Sequence, residues 1–143
     1  MTVPAWALLG FATWTLLLLL FTVGIYRWTQ ILTGRLPIRG FRADVVEGAE
    51  WYRRAMRAHA NCIENLPVFG ALVFGLFISG IGGQLVNSLA ITIVIARVIQ
   101  SLVHVCFTQT NTAAAVRFAF FFVQLVCFLV LAGILIRHAS TIP

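Results

Sequence analysis

The sequence predicts an all-α integral membrane protein, a bundle of four transmembrane helices. Of its 143 residues, 61% are apolar and 10% are charged, and the mean hydropathy is +0.99. A soluble domain has about 25% charged residues, so a soluble fold is excluded. Four apolar stretches can each cross a hydrocarbon core about 30 Å thick. We expect one membrane domain over residues 1–143, with helices at about 4–32, 49–80, 84–107 and 112–138.

The first two helices are indicated by residues 4–25 and 66–81. Residues 4–25 carry no charge and lack the basic start of a signal peptide, so we interpret them as a span. Residues 66–81 are short alone, but the helix extends back to about residue 49 through a polar stretch. The first turns of this second helix should therefore project beyond the lipid.

The last two helices each carry one charge within an apolar stretch. Arg97 interrupts the third stretch, and Arg117 interrupts the fourth, residues 113–136. Asn111 and Thr112 precede the fourth stretch and are residue types that cap helix N-termini. A charge inside a span needs a partner, a water-filled cleft or a ligand, so both arginines are candidate functional residues.

Arginine distribution predicts the orientation. All ten basic residues are Arg, the formal charge is +6, and seven of the ten lie between Arg27 and Arg57. On a soluble face this charge would suggest nucleic acid, but here it fits the positive-inside rule, and we expect no nucleic-acid partner. The first loop should be cytoplasmic, and both termini should lie on the opposite side. The charged residues of the first loop are Arg35, Arg39, Arg42, Asp44 and Glu47.

Polar residues form a stripe on each of the second and third helices. Arg57, Asn61 and Glu64 follow at i, i+4 and i+7. The stripe on the third helix consists of Arg97, Gln100, Ser101 and His104. With a rise of about 1.5 Å per residue, Glu64 and Arg97 reach similar depths, which predicts a buried ion pair. We expect both stripes to face inward and to meet Arg117 at the cytoplasmic end.

Two interpretations of this polar cluster remain open. Polar side chains can simply hold membrane helices together, at about 0.6 kcal/mol each. Alternatively, the excess of arginines and an amide around one carboxylate suits a small anionic ligand that also carries an ammonium group, as glutathione does. A free thiol has a pKa of about 8.5, which a nearby Arg or helix N-terminus lowers. Arg117, near the start of the fourth helix, supplies both.

The run RAMRAHANCIENLP, residues 54–67, resembles the second-helix signature of the MAPEG proteins. This family of membrane-associated proteins in eicosanoid and glutathione metabolism includes microsomal glutathione transferases. The four spans, the basic first loop and the arginines of the third and fourth helices are also similar to that family. The resemblance implies a homotrimer that binds glutathione between neighbouring subunits near the cytoplasmic face.

The resemblance also implies roles for individual residues. Arg117 matches the arginine that stabilises the thiolate in family enzymes and is the expected catalytic residue. His104 stands where those enzymes usually place a Tyr, seven residues after Arg97. The expected glutathione-binding residues are Arg57, Asn61, Glu64, Arg97 and His104.

The function expected from this resemblance is a membrane-bound glutathione-dependent transferase or peroxidase with a role in detoxification. Glutathione is the co-substrate, and a hydrophobic small molecule or lipid enters from the bilayer. The alternative is a non-catalytic lipid- or glutathione-binding scaffold of the same fold, favoured by His104 in place of Tyr. A transporter is disfavoured because the chain lacks paired broken helices. We expect no metal site and three buried thiols, Cys62, Cys106 and Cys127.

Overall fold

A computed structural model describes residues 1–41 and 46–141 of the chain. Within them, four helices are long and apolar enough to cross a membrane, which confirms the predicted fold class. Arg42 and Asp44, two of the first-loop charges, lie outside the described residues. The four helices are α1 (Val3–Leu32), α2 (Glu50–Ile78), α3 (Gln84–Cys106) and α4 (Asn111–Ala139).

Helix α3 is central to the bundle and packs against the other three helices. The core at one level is aromatic: the Phe69 ring lies 5.8 Å from the Phe11 ring and 6.1 Å from the Phe128 ring, centroid to centroid. Ile93 of α3 is fully buried beside them. These contacts tie α1, α2 and α4 around α3 and fix which face of each helix points inward.

A short glycine turn joins α2 to α3. Gly80 has φ +65°, a left-handed conformation that glycine adopts without steric cost. The Ile81 amide donates to the Leu76 carbonyl at 3.1 Å, and the Gly80 amide donates to the Phe77 carbonyl at 3.2 Å. This Schellman motif ends α2 abruptly, so α3 returns antiparallel against it.

The cap of α4 differs from the one predicted. Thr110 is the N-cap, with φ −109° and ψ 162°, and its side chain accepts a hydrogen bond of 3.1 Å from the Ala113 amide. Asn111 is already the first helical residue. An N-cap needs a non-helical backbone for its oxygen to reach the amide three residues on, so the prediction of Asn111 and Thr112 was wrong.

Aromatic residues clamp the end of α1 to the start of α2. Arg27 Nε donates to the Tyr52 hydroxyl at 2.8 Å, and the Tyr26 ring stacks on Tyr52 with centroids 4.1 Å apart. The Ala49 amide donates to the Tyr26 hydroxyl at 3.3 Å. This clamp holds the first turns of α2, which carry the arginines described next.

Candidate functional site

The polar stripe of α3 faces the interior of the bundle, as predicted. Its four side chains are all buried, with exposed fractions between 1% and 9%. Arg97 is the most buried of them at 1%. The stripe therefore contributes charge and hydrogen bonds inside the protomer, and it consists of Arg97, Gln100, Ser101 and His104.

The stripe of α2 does not face inward as a whole, and the prediction was wrong for Arg57 and Glu64. Arg57 and Glu64 are exposed, and Asn61 is half-buried. α2 turns Cys62 toward α3, and the Cys62 Sγ lies 3.6 Å from the Ser101 hydroxyl. Since successive helical residues differ by about 100°, Glu64 lies about 200° round the helix from Cys62 and faces out of the protomer.

The predicted ion pair between Glu64 and Arg97 is consequently absent. In the described part of the chain, no carboxylate oxygen lies within 4.0 Å of the Arg97 guanidinium. This guanidinium lies over the Phe11 ring, 5.5 Å from its centroid. Its Nε and Nη2 atoms are buried and have no hydrogen-bond partner among the described residues. The depths of Glu64 and Arg97 in the membrane are compatible with an ion pair, but the two side chains point in different directions.

His104 connects α2 to α4 through its two ring nitrogens. Its Nε2 lies 3.3 Å from the Asn61 side-chain amide nitrogen, and its Nδ1 lies 3.0 Å from Arg117 Nη1. Arg57 is also close enough to act on the ring electrostatically. The structure thus links Asn61 and Arg117 through His104 at one end of the bundle.

A basic cleft of about 180 Å³ lies along the first turns of α2, and Arg57 in its wall is one helical turn from Asn61. Arg53 and Arg54 each approach the Glu50 carboxylate at 3.9 Å, a long distance for an ion pair. The Arg54 side chain is 16% exposed, and its buried Nε has no partner in the described residues. The cleft has more positive than negative charge and is lined by Glu50, Arg53, Arg54, Arg57 and Gln109.

Sequence reasoning missed one polar lock between α3 and α4. Gln124 Nε2 donates to Gln100 Oε1 at 3.0 Å and to the Phe120 carbonyl at 2.9 Å, and both glutamines are buried. The signal was available, since Gln100 belongs to the polar stripe of α3 and Gln124 is the one amide side chain within residues 113–136. This lock holds α4 against α3 about two turns from Arg117.

The prediction of three buried thiols is confirmed for two of them. Cys62 and Cys127 are buried as predicted, but Cys106 is exposed, because it is the last residue of α3. His59 is half-buried and lies about 200° round α2 from the exposed Arg57, so the two side chains face different surfaces. Neither Cys106 nor His59 contributes to the contact around His104.

Comparison with protein families identifies the chain. The model of the MAPEG family matches residues 3–137, which include α1 to α3, all of α4 except its last two residues, and every site residue above. The chain belongs to the MAPEG family. Membership associates this MAPEG protein with glutathione- or eicosanoid-related chemistry at a membrane, without distinguishing among the family's members. No curated protein and no solved structure matches the chain.

Proposed function

We propose that this MAPEG protein is a membrane-bound glutathione-dependent transferase or peroxidase that acts on lipophilic electrophiles. Arg117 is the proposed catalytic residue, and its guanidinium stabilises the thiolate of bound glutathione. The bound thiol loses its proton to solvent. The thiolate then attacks an electrophilic carbon, the new C–S bond forms, and the leaving group departs with its bonding electrons.

The observation that carries this proposal is the Arg117 guanidinium, held by His104 and unpaired with any acid of the described residues. A guanidinium is always charged and has five N–H donors, so most of its donors remain for a ligand anion. An Arg beside a thiol lowers the thiol pKa from about 8.5 and so increases the reactive thiolate fraction. A half-buried position strengthens this effect because water screens the charge less.

The other charged groups of glutathione have matching partners nearby. We assign its carboxylates to the basic cleft, where Arg54 and Arg57 present guanidiniums that can bind a carboxylate in a bidentate manner. Glu64 is the carboxylate assigned to the ammonium group. Arg97 was predicted to bind glutathione directly, but it is 1% exposed inside the protomer. Its proposed contribution is electrostatic and acts at a distance.

The outward direction of Glu64 supports a site completed by a neighbouring subunit. A carboxylate facing lipid near the middle of a span costs about 2.5–3.5 kcal/mol on insertion scales. Contact with another copy of the chain removes Glu64 and Arg57 from lipid and encloses the ligand. We propose the homotrimer that the family resemblance implies, with glutathione bound between subunits.

The proposal also covers the orientation of the chain in the membrane and the path of the second substrate. The arginine-rich first loop and the site belong on the cytoplasmic side, with the termini opposite, according to the positive-inside rule. Next to Arg117, Phe118 is 68% exposed, and Phe122 one turn further is 55% exposed. These rings provide an apolar surface along which an electrophile or hydroperoxide can reach the thiolate from the bilayer.

The test is the ultraviolet absorbance of bound thiolate together with conjugation of chlorodinitrobenzene by detergent-purified protein. Wild type should show a saturable thiolate band and turnover, and Arg117→Gln should reduce both by at least tenfold. Arg137→Gln is the matched control, because it removes an exposed arginine at the other end of α4. Equal activity in wild type and Arg117→Gln would refute the role of Arg117.

One observation favours a non-catalytic binding protein as the second candidate. His104 occupies the position of the family's Tyr, and both its ring nitrogens are already engaged inside the protein. Such a protein would bind glutathione in calorimetry without forming a thiolate band. The two measurements on one sample therefore separate the enzyme from the binder.

A further inference from the structure

His104 has a single proton arrangement that satisfies its neighbours. The Arg117 guanidinium contains only donors and stays protonated, so at 3.0 Å the His104 Nδ1 must accept its N–H. A ring with protons on both nitrogens would oppose two N–H groups at this contact. His104 is therefore neutral, with its proton on Nε2.

The proton on His104 Nε2 also determines the orientation of the Asn61 amide. Its Nδ2 faces Nε2 at 3.3 Å, which would oppose two donors once Nε2 carries the proton. Turning the amide by 180° places Oδ1 at that point, where it accepts the Nε2 proton, and the two amide orientations are equivalent in shape. The result is a chain of two hydrogen bonds, from Nε2 to Asn61 and from Arg117 to Nδ1.

A neutral imidazole is well suited to hold a catalytic guanidinium. An arginine side chain has about 2 kcal/mol of rotamer entropy, so a free Arg117 would spend part of its time pointing elsewhere. A carboxylate would hold Arg117 more strongly, but its negative charge would compete with the thiolate. His104 fixes one edge of the guanidinium and leaves its full positive charge available.

We propose that His104 is a positioning residue that orients Arg117 toward the thiol, and that Asn61 fixes the tautomer needed for this. Both residues were predicted to contact glutathione, and this assignment replaces ligand contact with orientation of Arg117. The consequence for catalysis rests on the proposed function. The tautomer itself does not.

The first test is nitrogen NMR of the detergent-purified full chain labelled with ¹⁵N-histidine. The chain has three histidines, and the spectrum of His104→Asn assigns the signals of His104 by their loss. We expect a protonated Nε2 and an unprotonated Nδ1 at neutral pH. A proton on Nδ1, alone or together with Nε2, would overturn the proposal whether or not glutathione binds.

The second test compares His104→Leu with His104→Asn. Leucine removes the acceptor, whereas the amide oxygen of Asn lies about where Nδ1 lies and can accept from Arg117. We expect His104→Leu to lower kcat at least tenfold with the KM for glutathione changed less than threefold, and His104→Asn to restore most of kcat. Adding His104→Leu to Arg117→Gln should cause no further loss, because His104 acts on catalysis only through Arg117.

The outcomes separate failure of this inference from failure of the proposed function. A rise in the KM for glutathione with unchanged kcat would assign His104 to ligand binding and overturn the positioning role. Equal defects in the Leu and Asn variants would do the same. Absence of both glutathione binding and turnover in wild type would refute the proposed function, and the tautomer measurement would then decide the His104 inference alone.

Discussion

Replacing Arg97 by methionine should make the protein more stable while weakening its function. Arg97 is 1% exposed, and two of its guanidinium nitrogens have no hydrogen-bond partner in the described residues. Among the described residues, its guanidinium lies over the Phe11 ring, 5.5 Å from the centroid. A buried charge with so little compensation opposes folding, and methionine fills a similar volume without charge.

The size of the effect follows from two opposing contributions. Removing a charge from the middle of a span recovers about 2.5–3.5 kcal/mol on insertion scales. Losing the cation–π contact with Phe11 costs about 0.5–2 kcal/mol. The net expectation for Arg97→Met is a gain of about 0.5–3 kcal/mol in the free energy of unfolding, from the difference of these ranges.

The assay is reversible unfolding in mixed micelles, with SDS as the denaturant and helicity as the signal. Leu102→Met is the control, because Leu102 is an exposed residue of the same helix. It should change stability by no more than about 0.5 kcal/mol. The same Arg97→Met sample should bind glutathione more weakly, since one positive charge near His104 is gone.

A loss of stability in Arg97→Met would refute this reasoning. A destabilisation above about 1 kcal/mol is typical of breaking a satisfied buried group rather than removing an unsatisfied one. It would show that Arg97 has an anionic or water partner in the membrane-embedded protein. The Arg97 guanidinium would then stabilise the fold instead of destabilising it.

Two further substitutions have expected outcomes. Gly48→Ala should lower the melting temperature and destabilise the protein by about 1–3 kcal/mol, because Gly48 has φ +132° and a Cβ there would lie 2.6 Å from the Tyr26 hydroxyl. The control is Gly82→Ala, which places its Cβ in open space and should melt like wild type. Equal melting temperatures of the two variants would contradict the role of Gly48 in the aromatic clamp. Glu64→Gln should weaken glutathione binding in calorimetry by about tenfold, the value of one charged hydrogen bond. The control Glu47→Gln changes an exposed acid of the first loop and should leave the affinity for glutathione unchanged. Equal affinities of Glu64→Gln and wild type would remove Glu64 from the site.

The number and class of the helices could be predicted from sequence because hydropathy and length alone decide them. The end of α2 was also readable, since a Gly80-Ile-Gly-Gly83 turn permits the left-handed backbone that the Schellman motif uses. Both features are local and need no knowledge of neighbouring helices.

The direction of the side chains could not be predicted in the same way. Rise per residue gives the depth of Glu64 and Arg97, but their relative direction depends on how α2 rotates against α3. That rotation is set by the packing of Cys62 on Ser101 and of Phe69 between Phe11 and Phe128. The inward prediction failed for Glu64 because a single sequence does not reveal these contacts.

His104 illustrates the same limit in the functional site. Its spacing from Arg97 predicted that it belongs to the buried stripe of α3, and in the structure it is buried there. Its contact with Arg117 crosses the turn between α3 and α4, whose conformation depends on the Thr110 cap. A residue expected to touch the ligand is therefore engaged by the protein itself.

The most direct test of the central claim is the thiolate band of glutathione bound to wild type, Arg117→Gln and the control Arg137→Gln. We expect a band of equal strength in wild type and Arg137→Gln, and loss of the band in Arg117→Gln. Bound glutathione with the same thiolate fraction in all three proteins would contradict the claim that Arg117 stabilises the thiolate.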